Sequence, residues 1–77
     1  MKELIEYIAS SLVDKPEKVS VSQRGSRGRT RLELQVDKAD MGRVIGKNGR
    51  VANSMRALLR VAAARESKQA SLYIIEP

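Results

Sequence analysis

The segment MGRVIGKNGR, residues 41 to 50, decides the fold, because it sets two glycines between two stretches of helical character. Gly46 and Gly49 are separated by two polar residues, and glycine is needed where the backbone takes a positive φ or must approach a ligand without a β-carbon. A helix that begins after Gly49 turns its free N–H groups and its positive dipole end toward this loop. Lys47 and Arg50 add positive charge, and no acid occurs from position 41 to position 65. The segment predicts a helix–loop–helix unit whose loop suits the phosphates of a sugar-phosphate backbone.

The two helices of this unit follow from the residues around the glycines. We predict a short helix from about Asp40 to Ile45, capped by Asp37 or by Asp40 itself, and a longer helix from about Arg50 to Arg65. A plain helix–helix turn that needs glycine at its C-cap is the alternative for the loop. The longer helix has an apolar stripe of Val51, Met55, Leu58, Leu59 and Ala62. Arg56 and Arg60 lie off that stripe and are interpreted as a solvated face.

The chain before the loop predicts a helix and two strands. Apolar residues at helical spacing begin at Leu4, and Asp14-Lys15-Pro16 ends that helix, because the residue before a proline disfavours the α region. Val19 and Val21 alternate with serines as in a half-buried strand. A second strand from Thr30 to Val36 alternates just as regularly.

After the long helix, the segment Leu72-Tyr73-Ile74-Ile75 is apolar on both alternating faces and predicts a well-covered third strand. The order of elements is then α-β-β-α-α-β.

A second match to the pattern Gly-x-x-Gly serves as an internal control. Gly25-Ser26-Arg27-Gly28 lies between two alternating strands and precedes no helix, so it is interpreted as the turn of a hairpin. Its arginines remain candidates for a second, non-specific contact with a polyanion.

Composition narrows the possible functions. The formal net charge is +6, and residues 24 to 65 hold eleven bases against three acids, a distribution that favours a polyanionic partner. The chain has no cysteine and no histidine, which excludes disulfides and thiolate metal sites and makes an enzyme improbable. The Walker pattern also fails, because Met41 and Asn48 stand where it needs glycine and a hydroxyl residue. No apolar run matches a signal peptide or a membrane span, so we expect a cytoplasmic protein without membrane contact.

The segment Val44-Ile45-Gly46-Lys47-Asn48-Gly49-Arg50 resembles the signature of the KH domain, whose Gly-x-x-Gly loop clamps about four backbone nucleotides. The order of elements resembles the type II arrangement, and a KH domain of this length is similar to the small bacterial KhpA-type RNA-binding proteins. Ala52 departs from the family pattern, which has a bulky aliphatic residue there.

The resemblance implies a single α+β domain over residues 1 to 77, a three-stranded sheet with helices packed on one face, and no cofactor. It also implies binding of single-stranded RNA, in the role of an RNA chaperone or post-transcriptional regulator. Few phosphate contacts and the lack of an aromatic stacking platform predict that this binding is weak. Val44 and Ile45, with Leu32 or Leu34 of the second strand, would form an aliphatic groove floor. The expected nucleic-acid-binding residues are Arg43, Val44, Ile45, Gly46, Lys47, Asn48, Gly49 and Arg50.

Two rival functions remain open. The first is an assembly subunit that acts mainly through protein contacts, because Val61-Ala62-Ala63-Ala64 would let another helix approach closely; the resemblance implies a homodimer and a KhpB (Jag)-type partner. The second is binding of double-stranded DNA by a helix-turn-helix, which the three strands fit poorly.

Overall fold

The computed structural model describes residues 1 to 76 and has the order of elements expected from the sequence. Short 3₁₀ turns at Pro16–Lys18, Lys38–Asp40 and Lys47–Gly49 connect the main elements. Within the described chain, no helix has both the length and the apolar character to cross a membrane. The helices and strands are α1 (Lys2–Leu12), β1 (Ser20–Ser26), β2 (Arg29–Gln35), α2 (Met41–Ile45), α3 (Arg50–Arg65) and β3 (Gln69–Ile75).

The three strands form one sheet in the order β1-β2-β3, and its centre is β2. β1 runs antiparallel to β2, whereas β3 runs parallel to it, with Leu32 opposite both Gln23 and Leu72. The alternation predicted for β2 is confirmed, since Thr30, Leu32 and Leu34 are buried and the residues between them lie on the other face. The helices therefore cover one face of the sheet, as expected, over a core of Ile5, Ala9, Val21, Leu32, Leu34, Val36, Val44, Met55, Leu59 and Leu72.

The hairpin between β1 and β2 is tighter than the sequence suggests. Gly25 pairs with Thr30 and belongs to β1, so the turn consists of two residues, Arg27 and Gly28, rather than four. Their φ angles are +49° and +81°. Positive φ at both central residues is the geometry of a two-residue turn that matches the twist of paired strands.

Helix α3 has the predicted bounds but buries a different stripe. The buried residues are Ala52, Met55, Leu59 and Ala63, whereas Leu58 of the expected stripe is 51% exposed. The spacing of three and four residues is correct, but α3 has apolar residues on two neighbouring faces. Only the shape of the sheet selects between them.

The expectation of a well-covered third strand is wrong. β3 lies at the edge of the sheet, and only its inward side chains pack under α3. Tyr73 and Ile75 point to the open face and remain 44% and 37% exposed. Within the described part of the chain, the sheet therefore has an open face that the helices leave uncovered and a free edge along β3.

The carboxylate of Asp40 holds the end of α1 against α2. It is buried, and its two oxygens accept the backbone N–H groups of Asp14 and Lys15, each at 3.1 Å. Asp40 does not cap a helix with its side chain, whereas Asp37 does so by accepting the N–H of Ala39 at 3.0 Å. The prediction that one of these side chains caps α2 is therefore wrong: Asp37 caps the 3₁₀ turn Lys38–Asp40 that precedes α2, and Asp40, at the N-cap position of α2, has a tertiary role instead.

Candidate nucleic-acid interface

The loop between α2 and α3 has a backbone that favours the residues found in it. Gly46 has φ +77° and ψ 173°, a region that is essentially restricted to glycine. Asn48 and Gly49 follow in the left-handed region, with φ of +57° and +75°. Asparagine is one of the few residues with a side chain that adopts this conformation readily. The loop thus turns sharply twice within four residues and exposes the side chains of Lys47 and Asn48.

The two glycines differ in what surrounds them. A β-carbon on Gly46 would meet Cγ2 of Val51 at 2.5 Å and the backbone nitrogen of Val51 at 2.9 Å. A β-carbon on Gly49 would have a single near neighbour, Nδ2 of Asn53 at 3.8 Å. The absence of a side chain at Gly46 therefore lets Val51 pack against the loop. At Gly49 it leaves the outer surface of the loop open to a ligand.

The expectation of free amides at the start of α3 is wrong for two residues. The N–H of Gly49 donates to the carbonyl oxygen of Gly46 at 3.2 Å, and the N–H of Arg50 donates to the carbonyl oxygen of Lys47. The tight turn thus satisfies these donors internally. The side chains of Lys47, Asn48 and Arg50 are exposed and supply the polar groups of the loop.

Of the four aliphatic residues expected in the groove floor, three are buried in the core and one is exposed. Val44 is fully buried and belongs to the core, whereas Ile45 is 37% exposed beside the loop. Leu32 and Leu34 cannot form a groove floor, because both are fully buried under the helices. Ile45 alone of these four can offer an apolar surface to a base.

Arg43 is engaged by carboxylates rather than held free at the rim. Its Nη2 lies 3.0 Å from Oδ2 of Asp14, and its Nε lies 3.5 Å from Oδ1 of Asp40. The first ion pair joins α2 to the segment that follows α1, and the second is local, between residues three positions apart. The loop cations that remain exposed on the α3 side are Lys47 and Arg50.

A groove that the sequence analysis did not locate runs between α3 and the free edge of β3. It is a hollow of about 330 Å³ lined by Arg56, Leu59 and Arg60 of α3 and by Ala70 to Tyr73 of β3. We expected a groove beside the second strand, but β2 is paired on both sides and offers no edge. The signal was the pair of arginines four residues apart, whose meaning depends on β3 being an edge strand.

Arg56 is part of this groove and does not belong to a fully solvated face. Its Nε donates to the carbonyl oxygen of Leu72 at 3.2 Å, and its Nη1 donates to Oδ1 of Asn53 at 3.1 Å. Arg60, one turn further along α3, is exposed. The groove begins about 10 Å along the helix axis from Gly49, given a rise of about 1.5 Å per residue. Ala52, the departure from the family pattern, is buried on the inner face of α3.

The chain resembles bacterial proteins over nearly its whole length. The family model described as "KhpA/KhpB, KH domain" matches residues 2–74. An "RNA-binding protein KhpA" of Clostridium perfringens is 49% identical over 75 residues, which cover 97% of this chain and 100% of the relative. The protein of the same name in Borreliella burgdorferi is 40% identical over 74 residues, 96% of this chain and 90% of the relative.

These names identify RNA-binding proteins rather than enzymes, in agreement with the expectation of a non-catalytic chain. No solved structure matches the chain at a significant level. The family match and the full-length identity lead to one conclusion. The chain belongs to the KhpA/KhpB family of KH domains.

Proposed function

We propose that this chain binds single-stranded RNA through the loop from Gly46 to Gly49 and the groove between α3 and β3. The observation that carries the proposal is the open surface at Gly49, beside the exposed side chains of Lys47 and Asn48. The names of the full-length relatives give independent support. The role expected of such binding is that of an RNA chaperone or post-transcriptional regulator.

The residues at the loop divide into those that contact RNA and those that support the loop. Lys47 and Asn48 donate to phosphate oxygens, Arg50 adds positive charge, and Ile45 offers an apolar contact to a base. Gly49 lets the sugar-phosphate backbone approach the main chain. The supporting residues, which shape the loop without reaching the ligand, are Arg43, Val44 and Gly46.

Binding at this site is expected to be weak. The chain has two aromatic residues, both tyrosines, so it has no platform of rings on which successive bases could stack. A loop that contacts about four nucleotides neutralises few phosphates, and the affinity of single strands falls with salt by a slope of about 0.7 per phosphate. We expect dissociation constants in the micromolar range or weaker.

The direct test is the double variant Lys47→Asp/Asn48→Asp. Both side chains are exposed, and aspartate accepts the left-handed conformation at position 48 nearly as readily as asparagine does. Electrostatic repulsion should abolish binding of oligouridylate, while the thermal midpoint and the circular dichroism stay nearly unchanged. NMR titration of backbone amides is suited to measuring such weak binding.

A matched control separates a local effect from a general loss of charge. Ser10→Asp/Lys18→Asp also lowers the formal net charge from +6 to +3, at exposed positions outside the loop. This control should retain RNA binding within a few-fold. Unchanged binding by the loop variant, or equal loss in both variants, contradicts the clamp.

A second role, assembly with another KH-type protein, is favoured by two exposed apolar residues on α3. Leu58 and Val61 are 51% and 57% exposed and lie three residues apart, on one face of the helix. This face is rotated by at least about 100° from Arg56 and Arg60, given about 100° per residue. A second copy of the chain, or a KhpB-type partner, can therefore pack there while the groove holds RNA.

A further inference from the structure

The open face of the sheet carries a cluster of arginines near the hairpin. Arg24, Arg29 and Arg31 all point to this face, because they occupy alternating, non-buried positions of β1 and β2. Arg24 lies directly opposite Arg31 in the antiparallel register. Like charges in such a cross-strand pair destabilise a sheet. An arrangement of this kind is relieved when an anion binds between the charges.

The protein compensates only part of this charge. Nε of Arg31 lies 3.2 Å from Oε2 of Glu33, and the Arg31 guanidinium lies 4.1 Å from the centroid of the Tyr73 ring. Neither Arg24 nor Arg29 takes part in an ion pair within residues 1 to 76. Two arginines thus remain available beside an ordered stack of guanidinium and tyrosine ring.

This cluster is continuous with the groove between α3 and β3. The arginines and Tyr73 line a hollow of about 460 Å³ on the open face. Ser71 and Tyr73 line both this hollow and the groove on the other side of β3. Because β3 is an edge strand, no other strand formed by residues 1 to 76 blocks the passage from one hollow to the other.

The loop from Gly46 to Gly49 and the arginine cluster near the hairpin lie near opposite ends of α3. The loop precedes the helix, and the hairpin lies near its end, where the N–H of Gln69 donates to the carbonyl oxygen of Gly28 at 2.7 Å. Sixteen residues of helix span about 24 Å. A ligand that contacts both sites must therefore be an extended polyanion, longer than the tetranucleotide that a KH loop holds.

We propose that an RNA strand held at the loop continues along the groove, crosses β3 at Ser71 and Tyr73, and binds to the open face of the sheet. Arg24 and Arg29 contact its phosphates there, and a base stacks on the Arg31–Tyr73 pair. This inference rests on the proposed function of the loop and extends it. It predicts that affinity depends on the length of the RNA.

The test compares oligouridylates of about four and about sixteen nucleotides, which bracket the sizes of short single-strand sites. The variant Arg24→Gln/Arg29→Gln should weaken binding of the longer RNA about tenfold and reduce its salt slope by about 1.4, or about 0.7 for each phosphate that the arginines no longer neutralise. Binding of the shorter RNA should stay within twofold. The matched control is Lys2→Gln/Lys18→Gln, which removes the same charge elsewhere and should leave both affinities within twofold.

NMR of the wild-type chain gives an independent measurement that does not depend on any variant. The longer RNA should shift the amide resonances of Arg24, Ser71 and Tyr73 in addition to those of the loop. No shift on the sheet face, or unchanged affinity and salt slope in the arginine variant, overturns the proposal. Failure of the loop is distinguishable, because it appears as unaltered binding of the shorter RNA by Lys47→Asp/Asn48→Asp.

Discussion

Gly46 faces Val51 so closely that a β-carbon on the glycine would lie 2.5 Å from Cγ2 of the valine. We therefore expect Gly46→Ala to destabilise the fold. The strain of a glycine-only conformation costs about 1–3 kcal/mol, and overpacking adds about 1–3 kcal/mol. Urea unfolding should show a loss of about 2–6 kcal/mol in the free energy of unfolding.

The second glycine of the loop provides the comparison. In Gly49→Ala the added β-carbon meets no close neighbour. The variant should therefore lose only the free energy that a left-handed alanine costs, about 1–2 kcal/mol. The variant should unfold at lower urea than the wild type but at higher urea than Gly46→Ala. Equal losses at the two positions would show that contact with Val51 is unimportant.

The buried carboxylate of Asp40 should contribute more to stability than a helix cap does. Asp40→Ala removes the acceptor for the N–H groups of Asp14 and Lys15 and one partner of Arg43. Hydrogen bonds to a charged group are worth about 1.5–3 kcal/mol each, so a total loss of at least about 3 kcal/mol is expected. Asp37→Ala should cost about 1 kcal/mol, as for an N-cap. Thermal unfolding of the two variants measures which of them is less stable. A smaller loss of stability in Asp40→Ala than in Asp37→Ala would contradict this prediction.

Arg56 and Arg60 should differ in their effect on stability although both line the groove. Arg56→Met loses the hydrogen bond to the carbonyl oxygen of Leu72 and should lower the free energy of unfolding by about 1–2 kcal/mol. Arg60→Met changes an exposed side chain and should stay within about 0.5 kcal/mol. Each variant should reduce the salt slope of RNA binding by about 0.7. Unchanged slopes in both would exclude the groove from the interface.

Replacement of Leu58 and Val61 by serine should weaken self-association without unfolding the monomer. Burial of such side chains is worth about 1.5–3 kcal/mol each, so the dimer dissociation constant should rise at least about a hundredfold. Sedimentation equilibrium at several protein concentrations measures it. Tyr7→Ser, at an exposed apolar position of α1, is the control. A wild-type chain that stays monomeric at all concentrations contradicts a homodimer and leaves the face to a KhpB-type partner.

The helices and strands were predictable where a local pattern determines them. The alternation of β2 and the glycines at positions 46 and 49 define elements through short-range sterics, and the bounds of α3 agree with the expectation. The loop was identified for the same reason, because left-handed backbone requires glycine or asparagine whatever the rest of the fold does. Lys47 and Asn48 are exposed, as a binding loop needs.

The groove was not predictable, because it depends on which strand lies at the edge of the sheet. The apolar character of β3 suggested cover on both faces, yet Tyr73 lies on the open face beneath Arg31. The pairing of Arg43 with Asp14 was missed for a related reason, since Asp14 lies 29 positions away in sequence. Such tertiary pairings leave no periodic signal.

The parallel pairing of β2 with β3 has a consequence for how the chain folds. Leu32 aligns with Leu72, and the whole loop-bearing unit, α2 and α3, lies in the crossover between them. Pairing two strands so far apart in sequence costs loop-closure entropy before the contacts between them can stabilise the chain. The pairing of β2 with β3 should therefore limit the folding rate. A synthetic peptide of residues 41 to 65 would therefore lack the sheet that shapes the loop, and we expect it to be unstructured in water.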